Sequence, residues 1–443
     1  MVNLGVKDFL DRLAEKGLVE IIEDPLRTYY EIPLQISKVV GEKALLFKRP
    51  VRPDGKEYEC SVVSGLCGDK RRVRIGLKTD DIAEKVLNGL ENPLDPVPTD
   101  SDREIVIENP NLLRDLPILK HYDCEPGPYI TGGVISSKSP EGYNTFSFHR
   151  MLVIGRNKLA VRIVEGRELH RSFTSREKEG KPLDVSISIG LSADLLIAAA
   201  TPVRKMDKIS LAGGIRGESV RVSKCETVDA VAPEEAEIVL EGRILPGERA
   251  DEGPFYEILG VDKVRKQPVI EVLRISMRRN PYYYGILPAS CEQEDFMGMA
   301  WEALILKEFR KYARVKGVSR TPAGSGWIEV AISIEKEFDE QPLQVALAAI
   351  NAHSSLKSVI IVDEDVNVED YIEVMKAVLQ RAYPPMDYHI LRNVRGSTIE
   401  HSEKRFFEID GEKKLVKLPK SKVIIDATVK GPKQLFSKCR IPC

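Results

Sequence analysis

No stretch of this 443-residue chain stays apolar for the roughly 20 residues that a bilayer crossing requires. The longest apolar runs, such as Leu195 to Thr201 and Val359 to Val362, are far shorter, so no membrane span is expected. The N-terminal segment MVNLGVKDFLDRLAEKG lacks the unbroken apolar core of a secretory signal; its charges alternate with Leu and Phe at helical spacing, which predicts an amphipathic helix. There is no CxxC pair. The seven cysteines (Cys60, Cys67, Cys124, Cys225, Cys291, Cys439, Cys443) are odd in number and scattered, which excludes a zinc-finger framework and fits a reducing cytoplasm. An excess of one charge is also missing: 66 basic against 68 acidic side chains, a net charge of -2 and a pI near 6.4 give no global field for a polyanion. Nucleic acid is therefore not expected as a partner, and an anionic ligand has to be met locally. Internal repeats and low-complexity tracts are absent.

What is present is ample core material, 42% apolar residues under 30% charged ones, and a length matching two to four domains at about 100 to 200 residues each. Residues 1–105 read as a small α/β unit. It has the N-terminal helix, short β-rich runs at 44–49 and 61–66, and a helix at 80–90 that Asp80 and Asp81 can cap. NPLDPVPTDSD (92–102), with three prolines, reads as a linker. From 106 to 294, β-branched and aromatic runs alternate with period two between glycine turns, which predicts a largely antiparallel barrel or sandwich interrupted by one helix near 194–203. From 295 to 443 a helix of about 18 residues leads into alternating strands and helices (327–334, 344–352, 358–363, 368–382, 423–428), the pattern of a parallel α/β sheet.

Several segments carry candidate chemistry. In ERADEGPFYE, Glu252 precedes a Gly253-Pro254 turn and Glu257 follows it. Two glutamates held by a turn can act as a general acid and its partner, although a bare pair of this kind is more often a solvated loop. SFHRML places His149 and Arg150 on an alternating strand, so one of them faces the barrel interior; a buried arginine there can fork onto a carboxylate. His170 and Glu237 offer imidazole and carboxylate to a divalent cation, though singly each reads as a surface residue. LAGGIRGES (211–219) is a glycine-rich loop without the order of a nucleotide-binding loop. VDEDVNVED (362–370) resembles a carboxylate metal site, but its position between strand and helix favours capping.

Taken in order, HYDCEPGPYITGGVI, FSFHRMLVIG, ELHR, VSISIG, VSKCETVDAVAPEEAEIVLEGRI, DEGPFYE, VDEDVNVEDYIEVMKAV and KVIIDAT resemble successive landmarks of the UbiD family, decarboxylases that use prenylated FMN. The resemblance covers about 110–430 well and the N-terminal region loosely. It implies an N-terminal α/β domain, a central split β-barrel of the flavin-reductase type that binds the cofactor, a linking helix and a C-terminal α/β domain. It also implies a catalytic Arg-Glu-Glu network at Arg150, Glu252 and Glu257, with Arg150 orienting the substrate carboxylate and Glu257, kept protonated, delivering a proton. If Arg150 faces the flavin, His149 faces away.

Cofactor contacts are implied at Thr145, Ser147, Arg150, His170 and Glu237. The family holds its flavin phosphate through a divalent metal, usually manganese with potassium beside it, ligated by an Asn, a His and a Glu. His170 and Glu237 resemble two of these ligands. The family Asn position is Thr145 here, with Asn144 one residue earlier, so either a bulge presents Asn144, or a threonine oxygen or water substitutes. Further implied are a flavin prenyltransferase as cofactor supplier and a homodimer or higher homo-oligomer. The compact chain and GILPASCEQEDFMG (285–298) resemble the archaeal branch that converts trans-anhydromevalonate 5-phosphate to isopentenyl phosphate. A polyprenyl hydroxybenzoate or another aromatic acid is the alternative substrate. A non-catalytic flavin carrier or assembly protein is the alternative of another class.

Overall fold

A computed structural model of the chain describes residues 5–409 and 411–436. It divides into two compact units, Met1–Phe296 and Met297–Cys443. Cys439 and Cys443 lie outside the described residues, and the other five cysteines are free thiols.

The first unit opens with the expected amphipathic helix, Val6–Glu15, which buries Phe9, Leu10 and Leu13. A four-stranded sheet follows in the order Val19–Ile22, Ala44–Phe47, Ser61–Ser64, Tyr282–Tyr284. Its last strand comes from far along the sequence and pairs in parallel with Ser61–Ser64, which ties the N-terminal residues into the same unit as the β region. Asp81 caps helix Ile82–Glu91 as its position predicts, accepting the Glu84 N–H. Helices Glu31–Val39 and Lys70–Leu77 were not legible from periodicity. The 92–102 segment contributes only the two-residue strand Val97–Pro98.

The core of this unit is a nine-stranded sheet. Its path runs Asn144–Phe148, Val134–Lys138, Leu183–Ile189, Ile238–Glu252, Arg265–Met277, Lys158–Val161, Met151–Val153, Tyr129–Ile130, with Ile105–Glu108 added beside Arg265–Met277. Every pairing in it is antiparallel. The end strands Asn144–Phe148 and Tyr129–Ile130 do not pair, so the sheet is a curled, open half-barrel around Val185, Ile187, Leu240, Ile270 and Val272.

Four helices interrupt it instead of one: the single turn Leu112–Asp115, then Glu168–Lys178, Ala193–Ala200 and Lys208–Arg216. The last overturns the loop reading of LAGGIRGES. Its glycines serve close helix packing, since a Cβ on Gly214 would meet Gly89 O at 2.7 Å and Asn92 O at 2.6 Å. Only Gly217, at φ 91°, is a turn residue, capping the helix C-terminus.

The second unit holds a five-stranded mixed sheet in the order Arg314–Arg320, Glu329–Glu335, Ser358–Asp363, Ser421–Ala427, Tyr388–Arg392. The three central strands are parallel, as their Val and Ile runs predict, and both edge strands are antiparallel. Helix Gln341–Ala352 packs Val345 and Ala349 against Ile332 and Ile361, whereas helix Tyr371–Arg381 packs Val374 and Ala377 against Ala331 and Ile360. Strand alternation sends those two residue sets to opposite faces, so helices cover both sides. Asp370 caps the second helix through the Ile372 and Glu373 N–H groups, and Arg381 pairs with Asp363 and Asp365. VDEDVNVED is thus a cap and an ion-pair cluster.

Candidate active site

The long strand Ile238–Glu252 ends at Gly253, whose φ of 96° and whose 3.0 Å clearance between a notional Cβ and Lys263 O admit only glycine. The chain then forms a hairpin of Phe255–Glu257 with Gly260–Asp262, in which Phe255 stands opposite Asp262. This fold-back delivers three carboxylates, Glu252, Glu257 and Asp262, to one place. Arg150 meets them from the junction between strands Asn144–Phe148 and Met151–Val153.

The Arg150 guanidinium donates to all three. Nε reaches Glu252 Oε1 at 2.8 Å and Nη2 reaches Glu252 Oε2 at 3.0 Å, a bidentate fork. Nη1 reaches Glu257 Oε1 at 2.5 Å, and Nη2 reaches Asp262 Oδ2 at 3.0 Å. The Arg150 side chain is 9% exposed and that of Glu252 is 0% exposed. Burial alone would lower the Arg150 pKa, but the hydrogen bonds and charges of these acids outweigh it and the net shift is upward. For Asp262 burial pushes upward, and the donors Arg265 and Arg150 reverse it to a net lowering.

Arg150 also lies over the Phe255 ring, 4.3 Å from its centroid, and Phe255 packs edge-on against Tyr129 at 4.8 Å. The Tyr129 hydroxyl donates to Glu252 Oε1 at 3.3 Å and accepts the Gly253 N–H at 3.1 Å. Gln293 Nε2 donates to Glu257 Oε2 at 2.9 Å. Both neighbours of Glu257 therefore donate to it, and in this arrangement its oxygens act as acceptors. It can give a proton only after Arg150 turns to another anion and the carboxylate has taken one up.

The structure thus brings Arg150, Glu252 and Glu257 together and adds Asp262, Tyr129, Phe255 and Gln293, which sequence reasoning missed. Asp262 alone left a signal: it follows Glu257 by the same five residues that separate Glu257 from Glu252, with Gly260 between to turn the chain.

His149 and Arg150 are not on a continuous strand, because the strand stops at Phe148 and resumes at Met151. His149 is buried and donates Nδ1–H to the Arg162 carbonyl at 3.0 Å, which leaves Nε2 to accept from the Ser147 hydroxyl at 2.9 Å. Burial, with the charges of Arg167, Lys208 and Arg162 adding to it, lowers its pKa to about 4. It is a neutral imidazole at neutral pH.

The expected metal ligands do not come together. Strand Asn144–Phe148 pairs in unbroken register with Val134–Lys138, so no bulge presents Asn144. The Asn144 amide donates to Asp207 at 2.8 Å, and Thr145, 2% exposed, is bonded to Ser137. Glu237 sits elsewhere, packed on Gly190 and accepting the Tyr282 N–H. Its carboxyl is pushed up to about 7, chiefly by burial. His170 is half-buried on helix Glu168–Lys178, with Glu177 as its charged neighbour. Among the described residues no group of three His, Cys, Asp or Glu side chains is placed to hold a metal ion. The residues present do not fit a divalent-metal site.

Near Asn144 the structure gathers cations instead. Lys208 is buried and donates to the Ala199 carbonyl at 3.1 Å, and burial, with Arg167 nearby, lowers its pKa to about 7.

Comparison with known proteins identifies the scaffold. The N-terminal, Rift-related and C-terminal domain models of 3-octaprenyl-4-hydroxybenzoate carboxy-lyase, UbiD, match residues 10–89, 96–291 and 295–427. The chain is 33% identical over 440 residues to the anhydromevalonate phosphate decarboxylase of Methanosarcina mazei, covering 98% of this chain and 99% of that one. It is 34% identical over 401 residues to the protein of the same name from Methanothermobacter thermautotrophicus, covering 89% and 92%. Among solved structures, the UbiD-class enzyme HmfF from Pelotomaculum thermopropionicum in complex with FMN superposes with a TM-score of 0.91 at 31% identity, covering 99% of this chain and 97% of that one. An evolved dimeric form of HmfF in complex with prFMN gives a TM-score of 0.88 at 32% identity, with the same coverage. With its three domain models matched in order and its fold shared along nearly the whole length, the chain belongs to the UbiD family and is a UbiD-type decarboxylase.

Proposed function

We propose that this decarboxylase uses prenylated FMN to convert trans-anhydromevalonate 5-phosphate to isopentenyl phosphate and CO2. The observation that carries the reading is the buried Arg150 fork on Glu252, with Glu257 on its free edge, in a chain matching relatives named for that substrate over almost their full length.

Electrons left on carbon when CO2 departs need a sink that no ordinary side chain provides, and the prenylated flavin supplies it when bound. The protein's part is orientation and proton transfer. Arg150 is preorganised by Glu252 and backed by Phe255, so its Nη1 edge can pass from Glu257 to the substrate carboxylate with little reorientation. Glu257, released from Arg150 but still held by Gln293, then carries the proton to the carbon that lost CO2. Tyr129 keeps Glu252 in place. No step is assigned to manganese or potassium, whose expected ligands are dispersed. A homo-oligomer in the cytoplasm, supplied by a flavin prenyltransferase, completes the reading.

A phosphorylated five-carbon acid carries about three negative charges near neutral pH and needs cationic groups at both ends, whereas a polyprenyl or aromatic acid needs one anchor and an apolar channel. Protein co-produced with a flavin prenyltransferase is therefore expected to carry a ligand with the mass of prenylated FMN. It should release CO2 from trans-anhydromevalonate 5-phosphate much faster than from the dephosphorylated acid. Equal rates, or preference for a hydroxybenzoate, would reject this substrate.

A further inference from the structure

The cations beside Asn144 have no part in the carboxylate anchoring and proton transfer described above. Two helices start there. The Tyr143 hydroxyl bonds to Glu168, the first residue of helix Glu168–Lys178, and the Asn144 amide bonds to Asp207, the cap of helix Lys208–Arg216. Both positive helix ends are thereby pinned to the start of one edge strand of the half-barrel. Arg167 is the cap residue of the first helix, and Lys208 is the first residue of the second.

The acids in this neighbourhood are already engaged. Glu168 accepts from Tyr143 and from Arg171, and Asp207 caps its own helix while accepting from Asn144. Among the described residues, neither Arg167 nor Arg204, whose charge acts on Arg167, has a carboxylate hydrogen-bond partner, and the Lys208 ammonium hydrogen-bonds only to a carbonyl. Arg167 is exposed, so it is open to a ligand from solvent, while surrounding protein and the charge of Arg204 lower its pKa. Ser147 lies on the same strand and neutral His149 just past its end, and both Arg167 and Lys208 act on His149 electrostatically. Glu168 alone acts as a counter-charge on Lys208, and the cations otherwise repel one another, so a bound dianion would stabilise the arrangement.

We infer that Arg167, Lys208 and the two helix N-termini bind a phosphate monoester directly, the 5′-phosphate of the flavin, with side-chain cations in the place where relatives of this fold are expected to use a divalent metal. The inference rests on the flavin reading above and departs from it in how the phosphate is held. Arg forks match phosphate oxygens, and a helix N-terminus presents free N–H groups to them.

The test is flavin binding, read by fluorescence quenching, with apoprotein treated with EDTA. FMN should bind at least about tenfold more tightly than riboflavin with EDTA present, and added Mn2+ should change its affinity less than about twofold. Arg167→Gln and Lys208→Met should each remove most of the FMN advantage and leave riboflavin affinity unchanged. If the buried Lys208→Met variant does not fold, Arg167→Gln at the exposed position carries the test alone. Equal affinity for FMN and riboflavin overturns the inference, as does FMN binding that requires Mn2+; in both cases the flavin reading survives. Displacement of FMN by isopentenyl phosphate at this site would assign the cations to the substrate phosphate and overturn the cofactor assignment. Failure to bind either flavin rejects the flavin reading itself, and this inference with it.

Discussion

At the scale of single residues, the site depends on one buried cation shared by three carboxylates. Removing Arg150 leaves Glu252, with a fully buried side chain, without its counter-ion, and such losses cost about 3–5 kcal/mol. Arg150→Met should therefore lower urea-unfolding stability by that order as well as abolish turnover, whereas Glu257→Gln keeps the shape and should lower turnover by about 10²- to 10⁴-fold with stability nearly unchanged. Wild-type turnover in the Gln variant would move the proton to another group. Glu237 offers a separate check. Its folded carboxyl, raised to about 7 from an ordinary 4.5, binds more protons than the unfolded chain between those values. Its contribution is complete below pH 4.5 and is lost as pH rises through 7. Glu237→Gln should flatten that part of the stability profile; an unchanged slope would show that Glu237 is ionised, as a metal ligand would be. Arg150, Glu252 and Glu257 were legible because a glycine turn and chain order marked them. Tyr129 and Gln293 were not, because they reach the site from 123 and 36 residues away from their partners.

At the scale of elements, local chemistry and tertiary packing made different predictions, and packing decided where they conflicted. Asp81 and Asp370 cap the helices their positions predicted. Helix Lys208–Arg216 was hidden because two adjacent glycines disfavour helix by about 1 kcal/mol each. Contact with helix Ile82–Glu91 requires them: a Cβ on Gly89 would stand 2.8 Å from Ile215 N. Gly89→Val should force the two helices apart and destabilise the fold by about 1–3 kcal/mol in chemical denaturation, against a few tenths for a substitution on an exposed face. Because Lys208 begins the displaced helix, the same variant should weaken FMN binding more than riboflavin binding. Helix Glu168–Lys178 was missed for another reason, since its polar sequence, ELHRSFTSREK, buries only Leu169, Ser172 and Phe173 and shows little apolar periodicity.

At the scale of the whole molecule, the antiparallel half-barrel and the parallel core of the second unit were readable from strand alternation and from Val and Ile runs. The pairing of Tyr282–Tyr284 with Ser61–Ser64, some 220 residues apart, was not, because β pairing over such a separation leaves no local pattern. The near-balanced net charge of -2 is consistent with local capture of an anionic substrate by a few arginines, not a long-range field. The central claim is that Arg150 anchors a carboxylate and Glu257 returns a proton to the carbon that loses it. Holoenzyme incubated with trans-anhydromevalonate 5-phosphate in D2O tests this most directly. The account predicts CO2 and isopentenyl phosphate carrying one deuterium on the terminal alkene carbon, with both lost in Glu257→Gln. No CO2 from this acid, or deuterated product formed at the same rate by the Gln variant, would contradict it.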